Sequence, residues 1–127
     1  MGDAVTAVRV VFYREGERVP VRDWLNSLPP VARERCRDRL DMLAQEGQGL
    51  RRPLAARVCS GLYELRVKYQ RLNLRMLYFF HERTVVVISH GFAKPQAIIP
   101  LAEIRRALEC RRRFGADPGA HTSDPEG

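Results

Sequence analysis

The pattern of apolar and polar positions divides the chain into segments of different period. Residues 5–13, VTAVRVVFY, are rich in β-branched and aromatic residues and predict a first strand. Apolar residues then recur at helical spacing from Pro20, and again after the adjacent Pro29 and Pro30. The two stripes predict successive helices, as in an αα-hairpin, and consist of Val21, Trp24, Leu25 and Leu28, then Ala32, Cys36, Leu40 and Leu43.

From Gly61 onward the period changes to two, which is typical of strands. Three alternating or apolar runs, over 63–68, 71–80 and 85–92, are joined by short polar turns and predict an antiparallel meander. Pro100 suits the first turn of a last helix, whose apolar stripe consists of Leu101, Ile104 and Leu108.

The predicted order of elements is therefore β-α-α-β-β-β-α. It indicates an α+β fold with an antiparallel sheet of about four strands, an N-terminal αα-hairpin and a C-terminal helix. We expect one domain over residues 5–114. After residue 114 the composition turns to Gly, Pro, Ala, Asp and Ser, with three acidic residues and no Lys or Arg, which predicts a disordered acidic tail over residues 115–127.

One face of the predicted sheet is expected to be covered by helices, and the other carries mostly charged side chains on two adjacent strands. Its residues are Glu64, Arg66, Lys68, Arg71, Asn73 and Arg75. Side chains paired across such strands stand ~5 Å apart, so the cations would repel one another. A bound polyanion would relieve that repulsion. A solvated face with Glu64 paired to an Arg explains the pattern equally well.

The overall charge favours a bound polyanion over a merely solvated face. Lys and Arg number 22 against 15 acidic residues, for a formal net charge of +7, and only Lys68 and Lys94 are lysines. A small basic domain favours a nucleic acid, although an acidic protein partner or simple solubility is also compatible.

The remaining composition predicts where in the cell the protein is found and disfavours a metal-binding site. The three cysteines are widely spaced, which disfavours a disulfide framework or zinc site, and Cys36 and Cys110 are expected in the core. No apolar run approaches the ~20 residues that span a membrane. The first residues lack the pattern of a signal peptide, so we expect a cytoplasmic protein with no membrane association.

Four segments, in this order, carry a family resemblance: VPVRDWLNSLP, GLYELR, LRMLYFF and ISHGFAKPQ. The set resembles the phage-derived HigB-like branch of the RelE-type toxins of bacterial type II toxin–antitoxin modules, over roughly residues 8–114. The resemblance implies a RelE-like fold and an endoribonuclease that cuts mRNA on the ribosome without a metal or organic cofactor. It also implies a helix-turn-helix antitoxin as partner.

Residue by residue, the resemblance implies catalytic roles for Arg66, Arg75 and Lys94, which occupy the family's motif positions. The chain departs from the family where a second Lys is replaced by Pro95 and where a later Tyr is missing. These departures leave open an alternative, a catalytically inactive module of the same fold that binds RNA, the ribosome or an antitoxin.

Metal-free RNA cleavage needs stabilisation of negative charge on the phosphorane and two proton transfers. The forked guanidinium of Arg matches two phosphate oxygens. His90 and Tyr78 are the possible acid/base groups, although a structural His and a packed Tyr are the simpler interpretations. We expect RNA contacts from Lys68, Arg71, Asn73, Gln96 and Arg112.

Overall fold

The computed structural model describes residues 7–94 and 98–125. They form an α+β fold with three α-helices and one six-stranded mixed sheet. The helices are α1 (Pro20–Ser27), α2 (Pro30–Glu46) and α3 (Leu101–Ala116). The strands are β1 (Arg9–Tyr13), β2 (Ala55–Cys59), β3 (Leu62–Tyr69), β4 (Leu72–His81), β5 (Val85–Ala93) and β6 (Thr122–Ser123).

The strand order is β2-β3-β4-β5-β1-β6. Strands β3, β4 and β5 form the predicted antiparallel meander, and β2 extends it by one strand. The prediction of a purely antiparallel sheet of about four strands is wrong, because β1 pairs in parallel with β5, in the register Arg9↔Val85 to Phe12↔Ile88. The chain leaves β1 through two helices and returns through the meander, so β5 comes to lie beside β1 and runs in the same direction.

The first face of the sheet packs against α1 and α2. Both helices begin with a proline in the first turn, where the missing N–H costs no hydrogen bond. Most of the two predicted stripes is fully buried, which confirms the two-helix prediction: Val21, Leu25, Ala32, Cys36, Leu40 and Leu43. The indole ring of Trp24 lies where a side chain at Gly91 would stand.

The second face of the sheet is partly covered as well. Helix α3 packs there through Ala107, Cys110 and Phe114, against sheet residues that include Leu77 and Phe79. Helices therefore pack on both faces of the sheet. The charged side chains of β3 and β4 lie on this same face, where Glu64 is buried and Arg66 is partly exposed.

The tail differs most from its prediction. Helix α3 continues to Ala116, a 3-10 turn spans Pro118–His121, and β6 pairs with β1 in antiparallel fashion. The His121 ring stacks on Tyr13, with ring centroids 5.1 Å apart, and Asp124 pairs with Arg9 at 2.9 Å. The predicted disorder is thus wrong for residues 115–125, because β6 pairs with the outer edge of β1 and Asp124 forms an ion pair with Arg9.

Within the described residues, none of the helices combines the length and apolar character needed to cross a membrane.

Candidate active site

The β3–β4 hairpin brings two predicted catalytic arginines face to face. Its two-residue turn at 70–71 sets a register in which Arg66 lies directly opposite Arg75. The Arg66 N–H donates to the Leu54 carbonyl, on the side of β2, so Arg66 and Arg75 are a non-hydrogen-bonded pair of the β3–β4 ladder. In such pairs the Cα atoms are only ~4.5 Å apart and the side chains are closest.

A buried carboxylate holds the two guanidinium groups. Glu64 Oε1 accepts from Arg75 Nε at 2.8 Å, and Glu64 Oε2 accepts from Arg66 Nη2 at 3.0 Å. The exposed fractions of these side chains are 7 % for Glu64, 11 % for Arg75 and 25 % for Arg66. The ion pair foreseen as one explanation of the charged face is thus present, and it engages both arginines.

An irregularity in β5 places Lys94 on the same face. Phe79 pairs with Val87 and Tyr78 with Ile88, but Leu77 pairs with His90, so Ser89 is an extra residue in β5. Because strand side chains alternate, one extra residue reverses the face of every residue that follows. The Lys94 N–H donates to the Asn73 carbonyl at 2.7 Å, next to the Arg75–Phe92 pair.

We call Glu64, Arg66, Arg75 and Lys94 the Glu64 cluster. Burial lowers the pKa of Lys94, and the charges of Arg75 and Arg66 lower it further, while Glu64 opposes them. Burial likewise lowers the pKa of Arg75, against the attraction of Glu64. These mutual effects indicate that the three predicted catalytic cations act within one electrostatic neighbourhood. Glu64, their common partner, is absent from the site residues predicted from the sequence.

Helix α2 fixes the backbone under the cluster. Beyond the end of β2 the outer carbonyls of β3 have no strand partner, and α2 supplies arginines instead. Arg39 donates to the Arg66 carbonyl, and Arg35 Nη1 donates to the Lys68 carbonyl at 3.2 Å. The Arg35 guanidinium also lies over the Tyr69 ring, 5.6 Å from its centroid. Arg35 and Arg39 of α2 therefore help to hold the backbone of β3 in place.

His90 lies on β5, four residues before Lys94, but its hydrogen bonds are made outside the Glu64 cluster. Its Nδ1 is 2.8 Å from Ser89 Oγ and its Nε2 is 2.9 Å from Glu103 Oε1. The residue is 1 % exposed. Burial lowers its pKa, and Arg106 lowers it further, against the hydrogen bond to Glu103. This bonding ties β5 to α3, and the acid/base role of His90 stays a prediction.

Tyr78 faces the opposite side of the sheet from Arg75. It is 1 % exposed and stacks on Tyr63, with centroids 5.5 Å apart. Burial, together with the nearby Tyr63 and Glu64, raises the pKa of its hydroxyl above the ordinary value. This is the packing position that alternation in the strand predicts for it.

The predicted RNA contacts fall into two groups. Lys68 and Arg71 are exposed near the hairpin turn, and Asn73, half-buried, pairs with Lys68 across the strands. Arg112 lies apart from them on α3, where it pairs with Glu109 at 2.6 Å. Gln96 falls outside the described residues. The hairpin group borders the Glu64 cluster, whereas Arg112 does not belong to it.

Among the residues that the structure describes, no group of three or more His, Cys, Asp or Glu side chains is placed to hold a metal ion.

Comparison with known protein families finds a match over most of the chain. The family model described as "Phage derived protein Gp49-like (DUF891)" matches residues 23–112. That range runs from α1 into α3 and contains the whole Glu64 cluster. The comparison with curated proteins finds no match.

Proposed function

The chain belongs to the family of Gp49-like phage-derived proteins, toxins associated with toxin–antitoxin modules, and from this premise we propose that it is a toxin that cleaves mRNA. In this proposal it is a metal-independent endoribonuclease of the HigB-like branch that acts in the cytoplasm on ribosome-bound mRNA. Its inhibitor is a helix-turn-helix antitoxin. The observation that carries the proposal is the convergence of Arg66, Arg75 and Lys94 on one sheet face around the carboxylate of Glu64.

In the proposed reaction the ribose 2′-oxygen attacks the adjacent phosphorus, the 5′-oxygen leaves, and the product carries a 2′,3′-cyclic phosphate. Arg66 is the most exposed of the three cations and is the proposed first contact of the phosphate. Its Nε is buried and has no hydrogen-bond partner among residues 7–94 and 98–125. A phosphate oxygen that reached this donor would satisfy it, and a charge-assisted bond of this kind is strong.

Arg75 and Glu64 have the supporting role in this proposal. Arg75 is bound through Nε to Glu64 and through Nη1 to the Leu74 carbonyl, so its position is fixed before substrate arrives. Donors fixed in advance stabilise a transition state without reorganisation. Glu64 is proposed as the positioning residue that keeps two like charges adjacent.

Lys94 is proposed to supply positive charge and to donate a proton to the leaving 5′-oxygen. A lysine whose pKa is lowered by burial and by neighbouring cations can exchange a proton more readily near neutral pH. Removal of the proton from the 2′-hydroxyl is assigned to the ribosome-bound RNA, because both ring nitrogens of His90 are engaged.

The second candidate is a module of the same fold that binds RNA, the ribosome or an antitoxin without cleaving. The burial of Arg75 and Lys94 favours it, because neither side chain is open to an approaching phosphate without some movement. A ribosome-binding form of this module and the proposed toxin both predict ribosome binding, and only the toxin predicts cleavage.

The deciding experiment measures ribosome affinity across a salt series and single-turnover cleavage of translated mRNA, with end-group analysis of the products. Lys94→Met keeps an unbranched side chain only one atom shorter and removes the amine, and a thermal melt shows whether the variant folds. If Lys94 acts in the transition state, cleavage should fall ~10²–10³-fold while ribosome affinity changes little.

Arg112→Ala is the matched control, since it removes one exposed arginine outside the Glu64 cluster. It should reduce the salt slope of binding by about one charge and leave cleavage at saturation nearly unchanged. Equal effects of the two substitutions would remove Lys94 from the mechanism. Wild-type protein that binds ribosomes but leaves mRNA intact would establish the second candidate.

A further inference from the structure

The outer edge of the sheet at β2 is open and borders a groove. Strand β2 pairs only with β3 among the described strands and ends the sheet on that side. The groove beside it has a volume of about 530 Å³. Its lining comes from the loop after α2, from β2 and from one residue of β3, and includes Gln48, Leu50, Arg51, Arg52, Arg57 and Tyr63.

The register shows which backbone groups of β2 face outward. The Arg66 N–H donates to the Leu54 carbonyl, so Leu54 and, two residues on, Ala56 face β3. In an antiparallel ladder the residues between them face the other way. The Ala55 N–H is already bonded to the Arg51 carbonyl and Ala55 is only 2 % exposed, which leaves the N–H and C=O of the exposed Arg57 facing outward. These are hydrogen-bonding positions for an added strand.

The groove is also strongly cationic. Arg51, Arg52 and Arg57 are all exposed, and its lining contains no acidic residue. None of the three appears in the ion pairs or side-chain hydrogen bonds found within residues 7–94 and 98–125, unlike Arg9, Arg66, Arg75, Arg112 and Arg113. Three like charges are thus held together without a counter-charge from the described part of the chain.

We propose that β2 and this groove bind an extended acidic segment of a partner protein, which adds to the sheet as a seventh strand. The open edge supplies main-chain hydrogen bonds, as in other cases of strand addition. The arginines select acidic side chains, and Leu50 and Tyr63 offer apolar contact to the residues between them. The site is separate from the Glu64 cluster, so the proposal does not depend on RNA cleavage.

A peptide strand fits this surface better than RNA does. A nucleic acid could neutralise the arginines, but it has no backbone that repeats the N–H and C=O spacing of a strand edge. The unpaired edge and the arginines together therefore favour a protein partner over a polynucleotide.

The test uses the full chain and a fluorescein-labelled octapeptide in which Glu and Val alternate. Fluorescence anisotropy should show binding that weakens with salt, because exposed charges are screened. Amide hydrogen exchange over residues 55–59 should slow when the peptide binds. A peptide of the same composition apart from a central proline, which cannot pair along its length, should bind much more weakly.

Arg57→Gln should weaken peptide binding about two- to fivefold at low salt, the range expected for one exposed ion pair. Arg83→Gln, in the exposed β4–β5 turn, is the matched control and should leave binding unchanged. Equal binding of the proline peptide, or unchanged exchange in β2, would overturn strand addition. A single-stranded RNA decamer that displaces the peptide and binds more tightly would make the groove a nucleic-acid site instead.

Discussion

Replacing Glu64 by Gln tests whether the site depends on a buried counter-charge. The substitution keeps the shape of the side chain but removes the negative charge between Arg66 and Arg75, which face each other across two strands. Removing one partner of a buried ion pair typically costs about 3–5 kcal/mol. Because Arg66 keeps 25 % of its side chain in solvent, we expect a smaller loss, about 2–4 kcal/mol of unfolding free energy.

The assay is urea unfolding followed by fluorescence, with thermal melts as a second measurement. Glu109→Gln is the matched control, because Glu109 also binds two arginines, Arg112 and Arg113, but is 44 % exposed. Exposed pairs contribute about 0–1 kcal/mol, so this control should cost little. If Glu64→Gln costs less than about 1 kcal/mol, or no more than Glu109→Gln, the electrostatic account of the Glu64 cluster is wrong.

Two further predictions concern β5. Gly91→Ala should destabilise the fold by about 1–3 kcal/mol, because its Cβ would overlap the indole of Trp24; denaturant unfolding should show this loss, while Gly115→Ala, in open space on α3, should be neutral or stabilising. The pKa of His90 is lowered in the folded protein, so the unfolded chain binds more protons and stability should fall as the pH drops below about 6.5. Between pH 7.5 and 5.5 the unfolding free energy of His90→Gln should change less than that of the wild type, and an equal change would contradict the lowered pKa of His90.

The elements that the sequence predicted well are those with long, clear periods. The stripes of α1 and α2 were visible because buried residues recur at helical spacing, and the meander because short turns separate alternating runs. Strand β2, AARVC, was missed because its five residues, four of them small or medium-sized and one an arginine, show no clear alternation of apolar and polar side chains. Strand β6 was missed because its two residues gain their structure only from the edge of β1.

At the candidate site, alternation along β3 and β4 was enough to place Arg66 and Arg75 on one face. It could not show that Glu64 engages both, since a charged face in solvent produces the same pattern. The position of Lys94 depends on the extra residue Ser89, which is a property of strand pairing rather than of local sequence. The interactions of His90 depend on α3, which comes later in the chain.

Because of the extra residue Ser89, the site depends on whether an insertion or deletion in β5 has an odd or an even number of residues. Loss or gain of one residue between Ser89 and Lys94 would turn Lys94 towards α1 and α2 and put a neighbour such as Ala93 beside Arg75. A change of two residues would keep Lys94 on its face but move it along the strand by ~6.6 Å, beyond the reach of the same partners. This short stretch of β5 can therefore vary in composition while its residue count stays fixed, a constraint that would show as an absence of insertions and deletions among active relatives.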